Sequence, residues 1–314
     1  MSVLSWLAGV GPSGFGAAST AEQVTDGLDL RGQRILVTGC NSGLGFEAMR
    51  VLALRGATVL GAARTHESAA RACAQIAGRT EPLACELSDP ASVRAAVATA
   101  RRGGPLTAIL ANAGIMALPD REVVHGVERQ LFTNHVGHFL LVTGLTDHLT
   151  PTGRVVMLSS AAHTRAPAVG IAFDDLDAST SYSPWTAYGQ SKLANVLFSN
   201  ELARRFAGTG RTANALHPGV IATNLTRSLP SAFAAVWRAA SPLLLKSIGQ
   251  GAATGVWAAT HPSLASVSGE YFANCNVARP SRQARDAGLA ARLWTETEAI
   301  CARLAAPDDG PKAA

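Results

Sequence analysis

Lysine and tyrosine are scarce in this chain. It has three of each among 314 residues, the lysines at 192, 246 and 312, set against two dozen arginines. Cysteine is sparse too, with five residues at 40, 73, 85, 275 and 301. An odd count without a C-x-x-C pair argues against a disulfide framework or a zinc site and for reduced thiols, so a cytoplasmic location is expected. Five of the eight histidines stand at 135, 138, 148, 163 and 217, but no H-E-x-x-H or comparable ligand spacing accompanies them, and no metal is expected. The net charge of +5 is dispersed, with Arg101-Arg102 and Arg204-Arg205 as the only adjacent basic pairs. Without a basic stripe interleaved with aromatics, a nucleic-acid partner is not expected. The apolar stretch Ser231–Ile248 is broken by Arg238, Pro242 and Lys246, short of the roughly 20 apolar residues of a membrane span. Met1–Thr20 is small and apolar but carries no Lys or Arg, which makes it a poor secretory signal. Stable membrane insertion is therefore not expected.

The thirty glycines follow no period, and no low-complexity linker divides the chain. One domain is expected, over about 21–306, preceded by an N-terminal extension (1–20) and followed by a disordered tail (307–314). Within it, short apolar runs alternate with helical patterns. The strands are predicted at Arg34–Thr38, Thr58–Ala62, Pro82–Leu87, Thr107–Ala111, Arg154–Ser159, Thr212–Leu216 and Gly269–Asn274. Helices are predicted at Gly43–Arg55, Ser92–Ala100, Glu122–Leu149 and Thr186–Phe206, with a last one at Ala284–Leu304 packing on the sheet edge. Continuously apolar strands alternating with helices predict a parallel sheet covered on both faces.

The first predicted strand runs into Thr38-Gly39-Cys40-Asn41-Ser42-Gly43-Leu44-Gly45. A glycine turn between a buried strand and a helix lets backbone amides approach a pyrophosphate, whose charge then sits on the helix N-terminus. The second strand ends at Arg64, with no Asp or Glu between Leu60 and Thr65. An acid there would bind the ribose hydroxyls of NAD, whereas an arginine matches a 2′-phosphate, so NADP(H) is expected over NAD(H). Small residues at the end of the fourth strand, Asn112-Ala113-Gly114, leave room for the adenine side of such a cofactor.

Tyr188 and Lys192 lie four residues apart in a strong helical pattern, hence on one helix face. With so few of either residue, chance gives roughly 0.03 such pairs per chain, so composition is a poor explanation. A phenol, with a reference pKa of about 10, is a reluctant acid or base, and a neighbouring ammonium draws it toward neutrality. Ser159-Ser160 ends the fifth strand, where a hydroxyl can donate to a carbonyl oxygen as charge develops on it. Asn134 is a mid-helix asparagine, helix-unfavourable and in need of a specific partner.

Taken together, these motifs resemble the short-chain dehydrogenase/reductase family, in its retinol-dehydrogenase and WW-domain-oxidoreductase-like branch, over about Ser19 to Leu304. The resemblance also rests on F-D-D-L-D, A-Y-G-Q-S-K-L-A-N-V-L-F, H-P-G-V-I-A-T and S-G-E-Y-F-A-N-C, while WW repeats and the membrane anchor of the retinol enzymes are absent from the sequence. It implies a single-domain doubly wound Rossmann fold with a seven-stranded parallel sheet. It also implies a catalytic tetrad of Asn134, Ser160, Tyr188 and Lys192. Tyr188 would exchange the proton, Ser160 would orient the carbonyl, Lys192 would lower the Tyr188 pKa and hold the nicotinamide ribose, and Asn134 would fix a relay water. Gly39, Asn41, Ser42, Gly43, Leu44, Gly45 and Arg64 would hold the diphosphate and adenosine, with Asn112, Ala113 and Gly114 near the adenosine ribose. Pro218, Gly219, Ile221 and Thr223 would meet the carboxamide and phosphate. The family's Asp-Leu after the third strand is here Glu86-Leu87, a longer acid at the adenine contact.

The segment from about 223 to 250 should form a substrate lid, and its Leu, Ala, Phe and Trp suit a hydrophobic ketone, aldehyde or secondary alcohol. His163, Tyr182, Trp185 and Leu225 are the candidate pocket wall, His163 because it follows Ser160 by three residues. Two other functions remain open: a C=C reductase of the light-dependent protochlorophyllide type, and a non-catalytic NADP-binding sensor or scaffold. A homodimer through the helix bearing Tyr188 is possible within the family, unless the C-terminal extension covers that surface.

Overall fold

Strand β1 (Arg34–Thr38) shows how the fold is built, because its side chains alternate between two cores. Ile35 and Val37 point to one cluster and Leu36 to the other, all fully buried, as expected for a strand covered on both faces. The computed structural model describes residues 9–221 and 245–305. After β1 come α1 (Gly43–Leu54), β2 (Thr58–Ala63), α2 (His66–Cys73), β3 (Arg79–Ala84), α3 (Pro90–Arg101) and β4 (Leu106–Ala111). A small hairpin, β5 (Val123–Val124) and β6 (Val127–Glu128), leads into a helical stretch: α4 (Arg129–Leu131), a π-helical turn Phe132–Val136, then α5 (Gly137–Thr143). The second half has β7 (Leu149–Leu158), α6 (Pro184–Arg205), β8 (Thr212–His217), α7 (Ile248–Thr260), β9 (Tyr271–Ala273), β10 (Asn276–Val277) and α8 (Ala287–Arg303).

The main sheet has the order β10-β9-β8-β7-β4-β1-β2-β3. Seven strands are parallel, as expected, and β10 is added antiparallel to β9, through a turn in which Asn274 and Cys275 both adopt positive φ. Because β1 pairs with β2 on one side and β4 on the other, the direction in which successive strands are added to the sheet reverses at β1. A crevice opens there at the carboxyl ends of the strands.

Several boundaries differ from the sequence expectation for identifiable reasons. The third strand is Arg79–Ala84 rather than Pro82–Leu87, since its register runs from Thr58↔Arg79 to Ala63↔Ala84. As the edge strand it tolerates Pro82, whose missing N–H costs no ladder bond. The helix expected over Glu122–Leu149 loses its first residues to the hairpin, turned by His125 and Gly126 at φ 50° and 77°. It begins where the Glu128 carboxylate accepts from Gln130 N and Leu131 N, and its last residue, Leu149, opens β7. The C-terminal helix lies on α6, not on the sheet edge. Its Trp294 packs against Phe139 and Phe198, 4.9 and 5.5 Å between ring centroids, and the Arg205 guanidinium covers the indole at 3.9 Å. The expected lid and tail fall largely on 222–244 and 306–314, outside the described residues. Of the expected lid, Ile248–Gln250 is the first turn of α7, closed by a Ser247/Gln250 capping box.

Candidate active site

The nucleotide end of the crevice is made of backbone. Gly39 and Gly43 hold φ 71° and 56°, values that L side chains rarely adopt. Gly45 is packed so closely that a Cβ would lie 2.2 Å from Gly39 O. The helices α2, α3 and α7 are capped at their N-termini by the side chains of Thr65, Asp89 and Ser247, but Ser42 makes no such bond to α1. The first amides of α1 therefore keep their donors, at the positive end of the helix, for an anion. A groove of about 650 Å³ runs along this turn. Gly39, Asn41, Ser42, Gly43, Leu44, Arg64, Glu86, Leu87, Asn112, Ala113 and Gly114 all line it, so most of the expected cofactor residues come together. Gly45 stands behind the wall and serves its packing. These residues fit a dinucleotide: uncapped amides for the diphosphate, and an arginine at the far end of β2.

Thr38 ties this wall to the rest of the site. Its hydroxyl oxygen accepts from Asn112 N and Ala113 N, both at 2.9 Å, and lies 3.0 Å from His138 Nε2. With two N–H donors on the oxygen, its own proton goes to Nε2, so Nδ1 carries the ring proton and donates to Asn134 O at 2.9 Å. Burial holds His138 down at about 4, neutral as this pattern requires.

The reactive end is made of side chains. On α6, Tyr188 and Lys192 are both buried, with Lys192 Nζ 5.7 Å from the centroid of the phenol ring. Nζ donates to Leu158 O at 3.0 Å, and Leu158 itself lines the groove. Ser159 Oγ donates to Lys192 O at 2.7 Å, so the first serine of the pair fastens β7 to α6, while the Oγ of the second accepts from Ala162 N at 3.2 Å. Burial pushes the Tyr188 phenol above its ordinary value, while the Ser160 hydroxyl pulls it back. Protein groups alone thus do not give the depressed phenol expected from the Lys192 charge. Lys192 itself is lowered to about 8 by burial.

Asn134 sits in the π-helical turn, a distortion frequent at functional sites. Its Oδ1 accepts from Ile115 N at 2.8 Å, and its Nδ2 donates to Ile115 O and Ser191 Oγ, each at 2.9 Å. The partner that a mid-helix asparagine needs is therefore the strand end after Gly114. A Cβ on Gly114 would come within 3.0 Å of Asn134 Oδ1 and 3.3 Å of Lys192 Nζ, so the glycine brings groove and side chains together.

The profile described as short chain dehydrogenase matches residues 33–173. The short-chain dehydrogenase TIC 32 A, chloroplastic, of Brassica napus is 43% identical over 299 residues, covering 90% of this chain and 93% of its own length. The chain belongs to the short-chain dehydrogenase family. Mouse (Mus musculus) retinol dehydrogenase 12 is 38% identical over 278 residues, 86% of each chain. A solved short chain dehydrogenase from Burkholderia cenocepacia J2315, in complex with NADP, superposes with a TM-score of 0.62 at 27% identity, over 77% of this chain and 96% of that one. The protein is thus an oxidoreductase on a fold that holds a nicotinamide cofactor.

Seen as a member of this family, the chain departs from expectation at the substrate wall. His163 donates from Nδ1 to Ser160 O at 2.7 Å and accepts at Nε2 from Ser281 N at 3.0 Å. Both ring nitrogens are engaged and the ring is buried against Tyr271, so His163 holds the Ser160 backbone instead of meeting substrate. The Tyr182 hydroxyl donates to Leu118 O and accepts from Gln130 Nε2, bracing the loop after Gly114. Trp185 is 40% exposed and free to meet a ligand. Glu86 folds its carboxylate back onto Ser88 N and Oγ. Pro218, Gly219 and Ile221 lie beyond β8 and do not line the groove; Ile221 bridges to Lys246. Thr223 and Leu225 are outside the described residues. The sequence reading missed Ser88, Ile115, Arg129, Thr133 and Ile248 on the groove wall, and His138 behind it. Only His138 had a signal: it follows Asn134 by one helical turn.

No helix among the described residues is long and apolar enough to cross a membrane, and no group of three or more candidate metal ligands occurs among them.

Proposed function

We propose that the protein is an NADP-dependent oxidoreductase that interconverts a hydrophobic ketone or aldehyde and the corresponding secondary or primary alcohol, with Tyr188 as the general acid/base. What supports this reading is Lys192 beside both the Tyr188 ring and Gly114 of the groove wall, with Asn134 against the same glycine and the Ser160 hydroxyl bonded to the Tyr188 phenol. NADPH, when bound, supplies the hydride. The Tyr188 phenol gives its proton to the carbonyl oxygen in reduction and takes it back in alcohol oxidation. Ser160 orients that oxygen by donating to it. The Lys192 ammonium, beside the ring, stabilises the phenolate left behind, which matters because burial alone disfavours it. Asn134 acts as a positioning residue: its amide fastens Ile115 and Ser191 around the reacting atoms.

Arg64 supports NADP over NAD. It lies at the groove wall, no salt bridge engages it among the described residues, and a guanidinium pairs well with a 2′-phosphate. The NADP in the Burkholderia cenocepacia structure agrees with this preference. The catalytic unit is taken as 21–306, with 223–250 as substrate cover. The five free thiols favour a reducing compartment, for which the cytoplasm is the simplest reading.

The test is NADPH oxidation against a panel of hydrophobic ketones and aldehydes, with NADH in parallel. Substrate-dependent oxidation that prefers NADPH is the expected result. No turnover with any carbonyl, while NADPH still binds, would remove the carbonyl-reductase reading.

A further inference from the structure

Arg165 ends the short turn Ala161–Arg165 that follows Ser160, and its guanidinium carbon lies 5.1 Å over the Trp185 ring. Trp185 in turn stands edge-on to Tyr188, with centroids 6.1 Å apart and planes at 79°. Spaced three residues apart on α6, the two rings share one helix face. The turn carrying Arg165 is fixed against the same helix. At Gly189 a Cβ would meet Ala162 O at 2.7 Å and Arg165 C at 2.8 Å, so only glycine admits this approach. An arginine, an exposed indole and the phenol thus form a continuous wall leading out from Tyr188.

Among the described residues the charge on this wall is uncompensated. Two other arginines stack on aromatic rings, and each has a carboxylate: Arg205 over Trp294 pairs with Glu201 at 2.9 Å, and Arg292 over Phe173 has Glu296 at 3.9 Å. Arg165, exposed, has no carboxylate within ion-pair distance among the described residues. The sequence 222–244 contains no Asp or Glu. A guanidinium held in place on an indole loses less freedom on pairing with an anion than a free one does.

We propose that Arg165 and Trp185 form an anion-binding subsite beside Tyr188, and that the substrate is an oxo or hydroxy compound with a carboxylate at the far end of an apolar, preferably aromatic, body. This rests on the carbonyl-reductase reading and narrows it. The apolar body lies on the indole, the reacting carbon faces Tyr188 and the carboxylate pairs with Arg165. The two spans of 6.1 and 5.1 Å, laid end to end, set the upper limit between phenol ring and guanidinium.

The probes are para-acetylbenzoate, its biphenyl homologue and the methyl ester of each. Binding is measured by calorimetry with NADPH present, on the wild-type protein, Arg165→Ala and Arg165→Lys, and turnover of the same probes is followed alongside. Acid should bind about ten- to hundredfold tighter than ester, the range of one charge-assisted pair. Arg165→Ala should remove that preference while leaving ester binding and turnover within about twofold, and Arg165→Lys should restore part of it. Equal binding of acid and ester, no binding of either acid, or equal losses for both in Arg165→Ala would overturn the subsite. An acid preference that depends on Arg165, without turnover of any probe, would uphold the subsite and count against the carbonyl-reductase reading alone.

Discussion

The two ends of the groove are built by opposite means. At the nucleotide end the protein offers main chain: glycines at positive φ, an uncapped helix start and small residues at strand ends. At the reactive end it offers side chains held by named bonds, Lys192 to Leu158 O and Asn134 to Ile115, with His163 bracing the Ser160 backbone from behind. A backbone site takes any ligand with the right phosphate spacing and tolerates little change of shape. A side-chain site depends on few atoms, and its parts can be removed one at a time.

Mutation can test this contrast. The largest effect is expected at the reactive end, where Tyr188→Phe should lower turnover by about 10³-fold, within the range of general acid–base catalysis, while NADPH titration is unchanged. Near-normal turnover in that variant would end the mechanism. At the nucleotide end, Gly45→Ala puts a methyl against Gly39 O and should cost about 1–3 kcal/mol of stability, read by denaturant melting, with NADPH affinity falling alongside. If Gly45→Ala hit turnover at saturating NADPH instead, the division between the two ends would fail. Arg64→Ala should weaken NADPH about tenfold and leave NADH nearly unchanged, measured as the ratio of the two dissociation constants.

The smallest effect is pH-dependent and comes from Lys192, lowered by burial to about 8. On the proposed mechanism reduction needs its charge, so kcat should hold below about pH 8 and fall by severalfold above it. Stability should move the other way. The unfolded chain keeps this proton up to the ordinary lysine value of 10.5, so between the two values it binds more protons than the folded chain. The stability difference between wild type and Lys192→Met should therefore shift in favour of wild type as pH rises through that window. A kcat profile flat through pH 9 would show that the ammonium is not needed.

The same contrast explains what could be read from the sequence. Glycine spacing after β1 and the Tyr188–Lys192 spacing are local, since a turn or one helical turn fixes them, and both were legible. So were seven strands, because alternation of apolar runs is set by burial on two faces. The β5–β6 hairpin was not, although His125-Gly126 is a turn signal, because the helical pattern beyond it masked two short strands. The placement of α8 on α6 depends on Trp294 meeting Phe139 and Phe198, contacts between residues about 100 or more positions apart. The work of His163 depends on Ser281, 118 residues away, so its nearness to Ser160 suggested a substrate contact that the fold uses for support.

The missing cap on α1 ties occupancy to durability. Neighbouring helices are finished by their own Thr65, Asp89 and Ser247, whereas the first amides of α1, like those of α6, have no side-chain cap and stand open to an anion. Any dinucleotide that binds there completes a secondary-structure element as well as a reaction site. Mass action then makes the folded protein's lifetime a function of the nucleotide pool, adding about 2.7 kcal/mol at a hundredfold excess over the dissociation constant. Depleting that nucleotide would withdraw the same stabilisation.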